Sequence, residues 1–229
     1  MSNLAKVRWH ISDDSVALAR EASEKILHEA RLAIGRKGSF NIVFAGGNTP
    51  LHAYRHLVRG DTDWGNWQVY FGDERCVERS DPMRNDLQIQ EVLFDDVSIP
   101  AVQIHHMLAD AGFEVAISDY EKKIRHAMPF DLVILGIGED GHTASLFPGQ
   151  EHDPNQDVVA VRNAPKEPAE RISLNYAALN NARKVMFIVE GEHKRSAVES
   201  WLAGNDLPAS RVSGIDGTDV YLDRASWPD

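Results

Sequence analysis

The chain has 229 residues, a formal charge of −11 and one cysteine, Cys76. That charge denies it the broad basic surface a nucleic-acid backbone needs, and a lone cysteine excludes an internal disulfide and a Cys-x-x-Cys metal site. No apolar run approaches the roughly 20 residues that span a bilayer, and the start Met-Ser-Asn-Leu-Ala-Lys lacks a secretory apolar core, so neither nucleic acid nor membrane is an expected partner and the expected compartment is the cytoplasm.

With 43% hydrophobic and 26% charged residues, residues 1–229 read as one globular domain around one sizeable core. Asp13 to Gly35 is an amphipathic helix, with Val16, Ala19, Ile26, Ala30 and Ala33 at helical spacing. Ser12 or Asp13 would cap its start, and Gly35 or Gly38 would stop it. Phe40 to Ala45 is an apolar strand, and Gly46-Gly47-Asn48-Thr49-Pro50 turns from it into a helix from Leu51 to about Val58. A strand at Trp67 to Phe71 leads through a polar loop to a helix near Arg84 to Leu93. Further strands are expected at Val102 to His106, Asp131 to Leu135, Val158 to Val161, Arg171 to Leu174 and Lys184 to Val189. Helices are expected at Gly112 to His126, Tyr176 to Asn181 and His193 to Leu202. Strands separated by helices predict an α/β fold, a mainly parallel sheet with helices on both faces. Residues 150–157 and 163–170 read as exposed loops.

The densest chemistry lies at residues 131–149, where an apolar run ends in three glycines interleaved with Glu139, Asp140 and His142. A buried parallel strand has such a run, and glycines let the chain turn sharply at its carboxyl end. Ligands of open α/β sheets bind at that edge, so a histidine delivered there is placed for reaction. Gly136, Gly138 and Gly141 also satisfy the dinucleotide pattern G-x-G-x-x-G. Phe147-Pro148-Gly149 breaks the helix that pattern requires, however, and Glu139 and Asp140 would repel a pyrophosphate.

Two other strand ends carry polar clusters. Gly46, Gly47, Asn48 and Thr49 form a glycine turn into a helix, where close backbone approach and unpaired N–H groups suit a phosphate. Ordinary helix capping gives the same residues, and no lysine follows in Walker spacing. At Phe71-Gly72-Asp73-Glu74-Arg75 an arginine fork follows a buried strand, with Asp73 available as a base or as the orienter of Arg75 or a histidine. A local surface salt bridge is the alternative. Arg171 and Lys194 are isolated cations, read equally as anion ligands or as solvated charges; a lysine near a helix start works against the helix dipole. His105 and His106 are adjacent on an expected strand, so their rings point apart and shared metal ligation is not expected. Cys76 lacks the local signature of a catalytic thiol and reads as a small buried hydrophobe.

In order, these motifs are Gly-Gly-Asn-Thr-Pro at 46–50, Gly-Asp-Glu-Arg at 72–75, Arg84-Asn85, Gly-Ile-Gly-Glu-Asp-Gly-His-Thr-Ala-Ser-Leu-Phe-Pro at 136–148, Pro-Ala-Glu-Arg-Ile at 168–172 and Gly-Glu-His-Lys at 191–194. Nearly end to end, the chain resembles the lactonase side of the glucosamine-6-phosphate deaminase/6-phosphogluconolactonase family, whose fold is similar to that of ribose-5-phosphate isomerase. The resemblance implies a sugar phosphate lactone of the oxidative pentose phosphate pathway as substrate, with no cofactor and no metal. It implies His142 as the acid/base residue, Asp140 and Asp73 as its possible orienters, and Gly46, Gly47, Asn48 and Thr49 as the phosphate or sugar cradle. Arg75, Arg171 and Lys194 would add positive charge, and Asn85 belongs to the same substrate-binding set. Asn48 stands where serine is more usual, and Asn175 where threonine is common.

A sugar δ-lactone is already a reactive ester, so no covalent nucleophile is needed. An imidazole, ordinarily titrating near pH 6.5, can take a proton from water and return it to the departing ring oxygen. The deaminases of the family share the Gly-x-Asp-Gly-His turn, but they carry Asn-Glu-Pro where this chain has Leu146-Phe147-Pro148. An amino-sugar phosphate deaminase or a sugar-phosphate isomerase is therefore the nearest alternative. A non-catalytic sugar-phosphate sensor would need an output module for which the chain has no basic segment.

Overall fold

In the computed structural model, which describes residues 7–228, the chain starts with a strand that sequence periodicity did not reveal, β1 (Val7–Ser12). Helix α1 (Ser15–Lys37) follows, capped by Asp14, whose carboxylate accepts from Ala17 N at 2.8 Å. Gly38 ends it in the left-handed region, φ 79°, with its N–H on Ile34 O. Leu18, Ala22, Ile26, Ala30 and Ala33 form the buried stripe, while Val16, expected on that face, is 69% exposed. Strand β2 (Phe40–Phe44), helix α2 (Asn48–Leu57) and strand β3 (Trp67–Phe71) come next, then a short strand β4 (Asp73–Arg75) within the expected polar loop.

Helix α3 (Asn85–Ile89) passes into a π turn over Gln90–Phe94. Residues expected as a strand at 102–106 form instead a 3-10 turn, Ala101–Gln103, with Val102 85% exposed. Only Ile104 bridges β3, at Val69, and Pro100 at the turn's N-cap replaces strand pairing with local hydrogen bonds. His105 and His106 still point apart, His105 to Gln68 and His106 to Asp86. The rest of the chain supplies α4 (Phe113–Ile124), β5 (Phe130–Leu135), β6 (Val158–Val161), β7 (Arg171–Leu174), α5 (Tyr176–Asn180), β8 (Ala182–Val189), α6 (Arg195–Leu202) and β9 (Thr218–Asp223). Like β1, β9 had no expectation from sequence.

Six strands form one sheet in the order β1-β9-β8-β5-β2-β3, and every pair in it is parallel. All residues of β2, β5 and β9 are buried. Because successive side chains point to opposite faces, both faces of the sheet are covered, as expected. Strands β6 and β7, expected in this sheet, pair antiparallel with β4 in a second, three-stranded sheet. No helix follows Gly141 before β6, so the dinucleotide pattern lacks its helix. Among the described residues no helix is long and apolar enough to cross a membrane.

Parallel pairing puts the carboxyl ends of β2, β3, β5 and β8 along one edge. Between β2 and β5 the connections part: β2 leads to β3 on one side, and β5 leads to β8 on the other. The crevice at such a point is where open α/β sheets hold ligands. Both long glycine turns leave from these two strands.

Candidate active site

A cleft of about 420 Å³ opens at that edge. Gly46, Gly47, Asn48, Thr49, Asp73, Arg75, Asn85, His142, Arg171 and Lys194 all line it. Asp140 lies just behind His142 and reaches the cleft through it.

The turn after β5 builds the histidine site. Gly141 has φ 84°, and Gly138 N donates to His142 O at 2.8 Å, closing a tight loop. That loop sets the His142 ring against Gly138 so closely that a Cβ there would stand 2.0 Å from Nδ1. Asp140 Oδ1 accepts from the His142 backbone N–H at 3.1 Å and stands 2.6 Å from Nδ1. Burial works to raise the Asp140 pKa, but hydrogen bonds and charge from His142 prevail and hold it below the ordinary carboxylate value. An ionised Asp140 can only accept, which assigns the ring proton to Nδ1 and leaves the Nε2 lone pair free in neutral imidazole. The Phe147 ring packs beside the imidazole, centroids 4.6 Å apart.

Asp73 does not join this pair. Its carboxylate accepts from Ser145 Oγ at 2.5 Å and from Asn85 Nδ2 at 3.2 Å, so it braces the His142 turn against α3 while Asp140 alone orients the ring. Asn85 Nδ2 also donates to Asp73 O at 2.8 Å, and its amide fits against Gly46, where a Cβ would stand 1.9 Å from Oδ1. Glycine is required there by close approach. Beneath, the Glu74 carboxylate accepts from the N–H groups of Arg75, Asn85 and Asp86 at 2.8–3.0 Å. Burial, reinforced by the neighbouring Asp86, pushes Glu74 up to about 7. The fully buried Arg84 completes this unanticipated support, with its fork on Asp86.

Gly47, φ 94°, caps α2, and no side chain caps the helix start. The first intrahelical bond runs from Leu51 N to Gly47 O, so the N–H groups of Asn48 and Thr49 precede the ladder at the cleft wall. Opposite, Arg75 of β4 is the register partner of Arg171 of β7. Like charges directly across a strand pair are destabilising, so the pairing favours an anion near both. Arg75 donates from Nη1 to Met83 O, and Arg171 from Nε and Nη2 to the carbonyls of Pro168 and Lys166, so neither fork is wholly free. Burial lowers the Arg171 pKa, Asp73 opposes that, and Arg75 adds to it. Lys194 sits at the N-cap of α6, and its pKa too is lowered by burial, against the pull of Glu139.

Sequence reasoning missed Lys166, which lines the cleft from an exposed loop, and Glu190, which lines it too and pairs with His52 at 3.0 Å. Lysine between prolines carries no distinctive signal. Asn175 proves structural: it caps α5 through Tyr176 N and holds the carbonyls of Asp153 and Gln156. Cys76 is only half-buried, and burial pushes its thiol up to about 11, away from nucleophile chemistry. Among the described residues, no group of three or more His, Cys, Asp or Glu side chains is arranged to hold a metal ion.

Sheet, switch point and cleft define an α/β protein that takes a small ligand at the carboxyl edge of its strands. The family of glucosamine-6-phosphate isomerases and 6-phosphogluconolactonase matches residues 13–221, and the chain belongs to it. A 6-phosphogluconolactonase of Mycobacterium leprae is 33% identical over 232 residues, covering 93% of this chain and 94% of its own. The crystal structure of the Thermotoga maritima 6-phosphogluconolactonase matches with a TM-score of 0.88 at 30% identity, over 96% of this chain and 100% of that one. A monomeric glucosamine-6-phosphate deaminase shares the fold, with a TM-score of 0.83 at 20% identity over 96% of this chain and 98% of its own.

Proposed function

We propose that the chain hydrolyses 6-phosphogluconolactone to 6-phosphogluconate, the lactone step of the oxidative pentose phosphate pathway, with His142 as general base. The observation that carries this reading is the 2.6 Å His142–Asp140 pair, with His142 lining a cleft that Arg75, Arg171 and Lys194 also line. Water attacks the lactone carbonyl as Nε2 takes its proton, and Asp140 supports the imidazolium that forms. The tetrahedral oxyanion is stabilised by the N–H groups of Asn48 and Thr49. Collapse breaks the bond to the ring oxygen, which takes the proton back from His142. Arg75, Arg171 and Lys194 hold the phosphate, so remote binding energy places the carbonyl beside His142.

Leu146 and Phe147 favour the lactone over an amino sugar. Both are buried, and the Phe147 ring flanks His142 where the deaminases carry Asn-Glu-Pro. The test generates 6-phosphogluconolactone in situ, with a chelator present, and follows its disappearance against the spontaneous rate. Wild type should accelerate it, and His142→Ala should lower kcat on the order of 10²- to 10⁴-fold with little change in KM. An unchanged kcat removes His142 from the reaction; ammonia release from glucosamine 6-phosphate by the wild type would replace the lactonase reading with the deaminase one.

A further inference from the structure

Lys166 belongs to none of the sequence motifs, yet it faces the cleft beside Glu167, Arg171 and Lys194. Its ammonium lies 3.5 Å from Oε1 of Glu139, a residue of the same glycine turn that carries His142. The two side chains are 69% and 56% exposed, and open ion pairs of this kind contribute little to stability. Lys194 is close enough to feel both, Glu139 raising its pKa and Lys166 lowering it. Glu139 thus pairs with Lys166 and also acts on Lys194.

The root of Lys166 is fixed while its tip, 69% exposed, is held only by the open pair with Glu139. Arg171 Nη2 holds the Lys166 carbonyl at 2.7 Å, Arg171 Nε holds that of Pro168 at 3.0 Å, and Ala164 N bonds Ala169 O at 2.9 Å. The side chain can therefore swing without any movement of the loop. A phosphate monoester carries roughly −1.5 to −2 charge at pH 7 and three acceptor oxygens, against one charge on Glu139. The lysine gains by changing partner, and only a phosphorylated ligand offers the change.

We propose that Lys166 is a specificity-determining residue that recognises the substrate's phosphate, and that Glu139 is the resting partner it leaves on binding. This rests on the lactonase reading above. Lys166→Met and Glu139→Gln are compared with wild type on 6-phosphogluconolactone and on unphosphorylated glucono-δ-lactone, with inorganic phosphate as competing inhibitor. Lys166→Met should lower the preference for the phosphorylated lactone, the ratio of the two kcat/KM values, about tenfold, and weaken inhibition by phosphate by a similar factor. Glu139→Gln should raise that preference a few-fold, and only while Lys166 is present. A preference and a phosphate inhibition both unchanged in Lys166→Met would overturn the assignment while leaving the lactonase reading intact. A wild type that accelerates neither lactone would overturn both.

Discussion

A carboxylate that takes both the backbone N–H and the ring nitrogen of one histidine fixes that ring's orientation and its tautomer together. Asp140 does this for His142. Its lowered pKa means that the carboxylate stays charged below the pH at which an ordinary aspartate is half-protonated, so its support persists through the mildly acidic range. Asp140→Asn keeps the shape and removes the charge. It should cost on the order of 10²-fold in kcat, with KM within a few-fold, at every pH from 5 to 9. A loss confined to KM would show that Asp140 binds substrate instead of supporting the imidazolium. At this scale the His142 turn was legible, because glycines, an acid and a histidine at a strand end have few structural reasons to coincide. Asp73 could be read as a base or as the orienter of Arg75 or a histidine, and sequence could not choose, because its partners Ser145 and Asn85 come from distant segments that only the fold assembles. Lys166 was illegible for the same reason, its place beside Glu139 being made only by the fold.

Among elements, the turn after β5 makes the sharpest demand on sequence. Gly138 does not have positive φ, so alanine there meets no backbone strain. Its Cβ would instead stand 2.0 Å from His142 Nδ1 and 2.6 Å from Asp140 Oδ1. Gly138→Ala should therefore displace the pair and depress kcat nearly as far as His142→Ala, with a melting temperature within a few degrees of wild type. Kinetics and thermal melts on one preparation check it; full activity would mean that the pair tolerates displacement. Strands whose both faces are buried declare themselves, as in Phe40–Phe44 and Phe130–Leu135, continuous apolar runs ending in glycine turns. The edge strand Val7–Ser12 does not, because Arg8, His10 and Ser12 interrupt the run. Neither does Thr218–Asp223, fully buried yet carrying three polar side chains satisfied within the fold. Three residues of β4 are too few for any period.

For the molecule as a whole, the sheet closes through its most distant sequence contact, β1 on β9, with Val7 opposite Thr218. Apolar packing secures one side of it: Trp9 meets Trp201 and Trp227 edge-on, at 5.3 and 5.7 Å. On the other, Asp219 is 4% exposed and takes the Arg8 fork at 2.7 and 2.8 Å and His10 Nε2 at 2.8 Å. Burial opposes its charge, but Arg8 and His10 prevail and hold the Asp219 pKa at about 2, below its ordinary 3.8. A folded-state pKa below the unfolded one stabilises above the unfolded value, and that contribution is lost as pH falls through the folded value. The shift corresponds to about 2 kcal/mol at neutral pH. Asp219→Asn should therefore lower the urea-unfolding free energy by about that amount from pH 5 to 7, with the gap to wild type narrowing as pH falls below about 4. A gap independent of pH down to 3 would assign the effect to lost hydrogen-bond geometry and not to charge. Because the cleft lies at strands β2, β5 and β8, away from this edge, kcat of the folded variant should match wild type, which separates what holds the sheet together from what the sheet positions.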